Sequence, residues 1–146
     1  MQRRDVIHGL FTGVGAWFGL GEARAQSAAA PSKSKVAYHL SDVDKVAFVL
    51  GNIRNHYDGT DGAVEIALVV HGPALAAFKT EGASAAISSR FTGLVKEGLV
   101  AHACANTMEG MDIRLADLLT GFHSADAGGV VKLAELQAEG YAYLRP

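Results

Sequence analysis

The chain has one cysteine, Cys104, and three prolines in 146 residues. A single thiol excludes an internal disulfide framework and any CxxC metal or redox pair. Charge of one sign is also missing, since thirteen Lys and Arg stand against fifteen Asp and Glu. With no basic stripe or arginine-rich face, nucleic acid is not an expected partner. Long apolar runs are absent too: Leu10 to Leu20 is interrupted by Gly13, Gly15 and Gly19. At about 1.5 Å per residue that run falls far short of the ~30 Å hydrocarbon core of a bilayer. No GxGxxG, P-loop or nucleophile elbow occurs, so no nucleotide or other cofactor is expected.

What is present begins with a leader. Arg3 and Arg4 make a charged start, the short apolar run follows, and Ala23-Arg24-Ala25 is a small-x-small cleavage signal. The arginine pair followed by Asp5, Val6 and Ile7 resembles a twin-arginine export signal, and Arg24 beside the cut disfavours the general secretory route. Residues 1–25 are therefore expected to be a twin-arginine-type signal peptide and the mature protein periplasmic, with no membrane span after cleavage. Residues 26–35 form an Ala/Ser/Pro/Lys linker with no apolar period, and 36–146 read as a single domain. The mature chain keeps ten basic and thirteen acidic residues, a net charge of −3.

Within that domain Val36 to Leu40 reads as a strand. Ser41 and Asp44 suit a loose capping box for a helix carrying Val43, Val46, Leu50 and Ile53 at helical spacing and ending near His56. Asp58-Gly59-Thr60-Asp61-Gly62 is turn chemistry without the ligand set of a calcium loop. In Val64 to Val70 every residue but Glu65 is apolar, as in a central parallel strand covered on both faces. Pro73 suits the start of a helix over Ala74 to Phe78. Ser84 to Glu97 is amphipathic and stops at Gly98. Leu99 to Ala103 is a third strand, Asn106 or Thr107 suits a cap for a short turn, and Asp112 suits a cap for Ile113 to Leu119. Gly121 to Ala125 gives a short fourth strand, Gly129 to Glu139 a last helix and Tyr141 to Arg145 a fifth strand. This alternation predicts an α/β fold, a three-layer α/β/α sandwich with a mainly parallel five-stranded sheet.

Ligands of parallel α/β sheets gather at the carboxyl ends of the strands. Cys104 stands at such an end, as do His39 and His71. Thiolate is the nucleophilic form of cysteine, and backbone N–H groups at a helix start favour it. The same position also suits one more small buried apolar residue. His102 shares a strand face with Cys104. Asn106 and Thr107 are placed either to hold a ligand or to cap a turn. Two histidines and a cysteine are a ligand set zinc or copper accepts, but no tight spacing enforces it, so no metal is expected.

Four stretches of the chain carry a resemblance: Tyr38-His39-Leu40-Ser41-Asp42 with Lys45-Val46, Glu65 to Pro73, Ala103 to Met108, and Ala134 to Gln137 with Gly140 to Tyr143. In this order they are similar to the DsrE/DsrF (YchN-like) family, in its exported branch. The resemblance implies a DsrE-like α/β domain assembled as a trimer or hexamer, and a cysteine that carries sulfur as a persulfide between a donor and an acceptor. Cys104 falls on the family's Cys-x-Asn-Thr position, with Ala105 where glycine is common and His102 where an aromatic is frequent. It is the expected catalytic residue. His39, His71, His102, Asn106 and Thr107 are the expected substrate-binding residues. The alternative is a noncatalytic small-ligand-binding or assembly protein on the same fold.

Overall fold

The computed structural model describes residues 32–146, so the signal peptide and most of the linker lie outside the described residues. Val64–Val70, the most apolar strand of the chain (β2), lies at the centre of a sheet in which every strand pair is parallel. It is flanked by β1 (Ser34–Leu40) and β3 (Val100–Cys104). Outside them lie β5 (Ala142–Leu144), beside β1, and β4 (Phe122–Ala125), beside β3. β1 takes in Ser34 and Lys35, which the sequence reading gave to the linker, because Ser34 and Lys35 pair in register with Val64 and Glu65.

The order β4-β3-β2-β1-β5 fixes where the helices go. β1 to β4 are added one after another towards one edge. Right-handed crossovers therefore bring α1 (Val46–Gly59) and α2 (Ala85–Glu97) over one face. The chain then returns past β1 to add β5 on the far side. A right-handed crossover in that reversed direction lays α4 (Gly129–Ala138) over the opposite face.

Strand alternation feeds two cores of unequal size. Val36, Tyr38, Ile66, Leu68 and Val70 point to the larger one, with Val49, Leu50 and Ile53 of α1 and Phe91 and Leu94 of α2. At its far end Phe78, Phe91 and Phe122 meet with ring centroids 4.8 to 5.3 Å apart. Ala37, Ala67 and Val69 point the other way, against Leu133 and Leu136 of α4.

Ser84 caps α2, its hydroxyl accepting the Ile87 N–H at 3.2 Å, and Gly98 closes that helix in the left-handed region with φ 112°. The capping box at Ser41 does not form. Instead Val43–Lys45 makes a 3-10 turn without a side-chain cap, and α1 starts from it. Gly72–Phe78 is likewise a 3-10 segment. Asp112 is no helix cap: it takes a φ of 52°, and the next turn is the short 3-10 segment Leu115–Asp117, held by Arg114 and Asp117 on each other.

Candidate functional site

The carboxyl ends of β2 and β3 open on one recess of about 340 Å³. His71, Cys104, Asn106 and Thr107 line it, together with the chain from Ala127 to Val131 that leads into α4. Cys104 is the last residue of β3 and the residue before α3 (Ala105–Gly110). It is 5% exposed and unpaired.

Burial alone would raise the Cys104 thiol, because a thiolate is poorly solvated in the interior. The Thr107 hydroxyl and the backbone N–H groups of Gly129, Thr107 and Asn106 favour the ionised form and outweigh burial, so the thiol lies below its ordinary value. Thr107 is well set for this. Its Oγ1 accepts the Gly72 N–H at 2.9 Å, and a hydroxyl that accepts one hydrogen bond still has its own hydrogen to donate. Thr107 thus ties the ends of β2 and β3 together while serving the thiol, and neither it nor Asn106 is the cap of α3.

The glycine pair before α4 is what lets that helix come so close. A Cβ on Gly129 would lie 3.3 Å from the Cβ of both Cys104 and His71. Gly128 has φ 101°, and a Cβ there would sit 2.8 Å from the Asn106 amide. Gly128 disfavours a side chain by its φ, and at Gly129 a side chain would fit only if Cys104 and His71 gave way by a few tenths of an ångström.

His71 lies in the recess, whereas His39 stands one step behind it. His39 Nε2 is hydrogen-bonded to His71 Nε2, and His39 Nδ1 to the Tyr143 hydroxyl at 2.7 Å. Burial, then His71 and Arg145, bring His39 down to about 4 against the pull of Asp42. Burial and then Arg145 lower His71 as well. Both rings are neutral near neutral pH.

His102 is on the same sheet face as Cys104 but is not among the residues lining the recess, which corrects its expected place in the site. It lies one alternation back along β3, 6.0 Å from the His123 ring, and its Nδ1 is buried without a hydrogen-bond partner. Burial first, then Lys132 and His123, lower it to about 4, opposed by Glu135.

The structure thus brings together Cys104, His71, Asn106 and Thr107, connects His39 indirectly and leaves His102 outside. Sequence reading missed Gly128, Gly129 and Tyr143. Adjacent glycines directly before a helix that has no Ser, Thr, Asp or Asn cap were the available signal for the first two. Among the described residues no three His, Cys, Asp or Glu side chains are grouped so as to hold a metal ion, and no helix is long and apolar enough to cross a membrane.

The model of the DsrE/DsrF-like family matches residues 27–146. No curated protein matches the chain. Among solved structures, the fold is similar to a protein of unknown function from Methanobacterium thermoautotrophicum, MTH1491, at 26% identity and TM-score 0.70, covering 77% of this chain and 99% of that one. It is also similar to the ychN protein from E. coli at 15% identity and TM-score 0.58, covering 78% and 99%. A protein of unknown function from Bacteroides thetaiotaomicron, BT1422, superposes at 14% identity and TM-score 0.60, covering 81% and 100%. The last two likenesses concern the fold.

Proposed function

Since the chain belongs to the DsrE/DsrF-like family, we propose that it is a sulfur-relay protein that carries one sulfane sulfur as a persulfide on Cys104. The observation that carries this reading is the setting of the thiol. It is a single cysteine at the floor of an open recess, held below its ordinary pKa by a hydroxyl and three backbone N–H groups. A buried cysteine serving only as core filler needs none of these.

The chemistry is a pair of displacements. The Cys104 thiolate attacks the outer sulfur of a donor persulfide. A new S–S bond forms at Cys104 while the donor's S–S bond breaks, and its electron pair leaves on the donor thiolate. An acceptor thiolate then attacks the outer sulfur on Cys104, which departs as thiolate. There is no net oxidation, and no second cysteine of this chain takes part.

Intact mass after exposure to polysulfide, thiosulfate or a protein persulfide tests the reading. The expected result is the gain of one sulfur atom, removed by reductant and absent in Cys104→Ser. A wild type that stays unmodified, with a thiol that alkylates only after denaturation, returns Cys104 to the core and leaves a noncatalytic binding or assembly role.

We also propose that the protein works after export to the periplasm and as a homo-oligomer. The Arg3-Arg4 leader supports the first. The trimer or hexamer that the family resemblance implies supports the second. Changing Arg3 and Arg4 to Lys should retain the precursor in the cytoplasm, and light scattering should give a mass several times that of one chain. Normal export or a monomer at all concentrations would remove the corresponding half of this proposal.

A further inference from the structure

Tyr143, His39 and His71 form one hydrogen-bonded row running from the β5 edge of the sheet to the recess. The two imidazoles meet edge to edge, with centroids 4.7 Å apart and planes 23° from parallel. Each neutral imidazole carries one N–H and one lone pair, so protons can fill the row in only two ways. In the first, Tyr143 donates to His39 Nδ1, His39 Nε2–H donates to His71 Nε2, and His71 keeps its proton on Nδ1. In the second, every bond is reversed.

The two fillings place one ring in each tautomer, so the terminal bond decides between them. A phenol is a strong donor and a weak acceptor, whereas an imidazole lone pair is a strong acceptor, and the first filling has the better terminal bond. The groups around the row leave its rings neutral. Burial and Arg145 both disfavour charge, while Asp42, 3.6 Å from Arg145, opposes them. With His71 Nε2 taken by His39, Nδ1 is the nitrogen left to meet a group in the recess.

We infer that Tyr143 and His39 are positioning residues that fix His71 as an Nδ1–H donor, and that this donor receives a negatively charged group attached to or arriving at the Cys104 sulfur. The inference rests on the carrier reading and deepens it by naming the class of cargo: sulfur species with negative charge on the atom beyond Sγ, as in a persulfide anion. His71 is not among the groups that lower the thiol itself. In this inference its N–H serves the second atom, and the first is left to Thr107 and the backbone N–H groups.

Two alkylating reagents separate these effects in the full chain. In both iodoacetamide and iodoacetate the thiolate displaces iodide and the methylene carbon takes the place of an outer sulfur, but only iodoacetate carries a negative charge just beyond it. His71→Phe should slow iodoacetate about tenfold relative to iodoacetamide, and Tyr143→Phe about threefold, since a hydrogen bond to a charged group is lost or loosened. The ratio of the two rates is the readout, because a change in access to the thiol affects both reagents alike. His71→Asn presents an amide N–H close to the place of Nδ1–H and should keep most of the preference. Histidine 15N spectra should show His71 with its proton on Nδ1, and Tyr143→Phe should bring in the other tautomer. An unchanged reagent ratio in His71→Phe and Tyr143→Phe, or a wild-type His71 with its proton on Nε2, overturns the inference. None of these readouts requires sulfane sulfur uptake, so failure of the carrier reading shows separately in the mass experiment.

Discussion

Thr107→Val should move the pH midpoint of Cys104 alkylation upward by about one unit and cut the iodoacetamide rate at pH 7 about tenfold. Valine keeps the shape of threonine and loses the hydroxyl. Two things go with it: the hydroxyl that favours the thiolate, and the oxygen that accepts the Gly72 N–H. The sign follows from which form the hydroxyl favours. A donor to the sulfur stabilises the thiolate, so removing it raises the thiol pKa, and below that pKa each unit costs a factor of ten in reactive anion. Thr107→Ser restores the donor and should recover most of the rate. A midpoint that stays in place in Thr107→Val would show that the backbone N–H groups of Gly129, Thr107 and Asn106 suffice.

The largest loss of stability is expected far from the thiol. Phe91→Ala should lower the unfolding free energy by about 3 to 5 kcal/mol, the usual range for removing a fully buried phenylalanine. Phe91 is wholly buried, stacked on Phe122 at 4.8 Å and edge-on to Phe78 at 5.3 Å. Truncation removes both ring contacts at once, and the partners belong to different elements that cannot collapse together into the gap. Urea unfolding followed by circular dichroism measures the loss. A change below about 1 kcal/mol would mean that the phenylalanine cluster relaxes around the cavity.

How far the sequence anticipates this molecule depends on the range of the interaction. The run Val64–Val70, apolar at every position but Glu65, announces a central strand, and its position in the sheet agrees. The short strand at Phe122–Ala125 forms despite His123 and Ser124, which fall on opposite faces of the sheet, because its edge position leaves both at least partly in solvent. Ser84 and Gly98 act through neighbours three or four residues away and were legible for that reason. The Ser41 box was not, because the chain tightens into a 3-10 turn where an α-helical first turn was assumed.

The site divides the same way. Cys104 and His71 at strand ends follow from the parallel sheet. Tyr143 on His39 joins residues 104 apart in sequence, and arises only because the last strand pairs with the first. His102 shows the limit of strand alternation: sharing a face with Cys104 put it on the right side of the sheet but not at the right depth.

The unequal covering of the two sheet faces sets how evenly the molecule resists opening. α1 and α2 close over a large continuous core, whereas α4 is held chiefly by Leu133 and Leu136 on Ala37, Ala67 and Val69. Partial opening is cheapest where the least apolar surface must be exposed, so lifting α4 costs less than unfolding the domain. Gly129 belongs to α4 and is one of the groups that favour the thiolate. A fluctuation that uncovers the sulfur therefore also withdraws part of what ionises it. Exposure and ionisation of Cys104 are opposed within one motion, and the docked helix is the state in which the thiol is both shielded and most readily ionised.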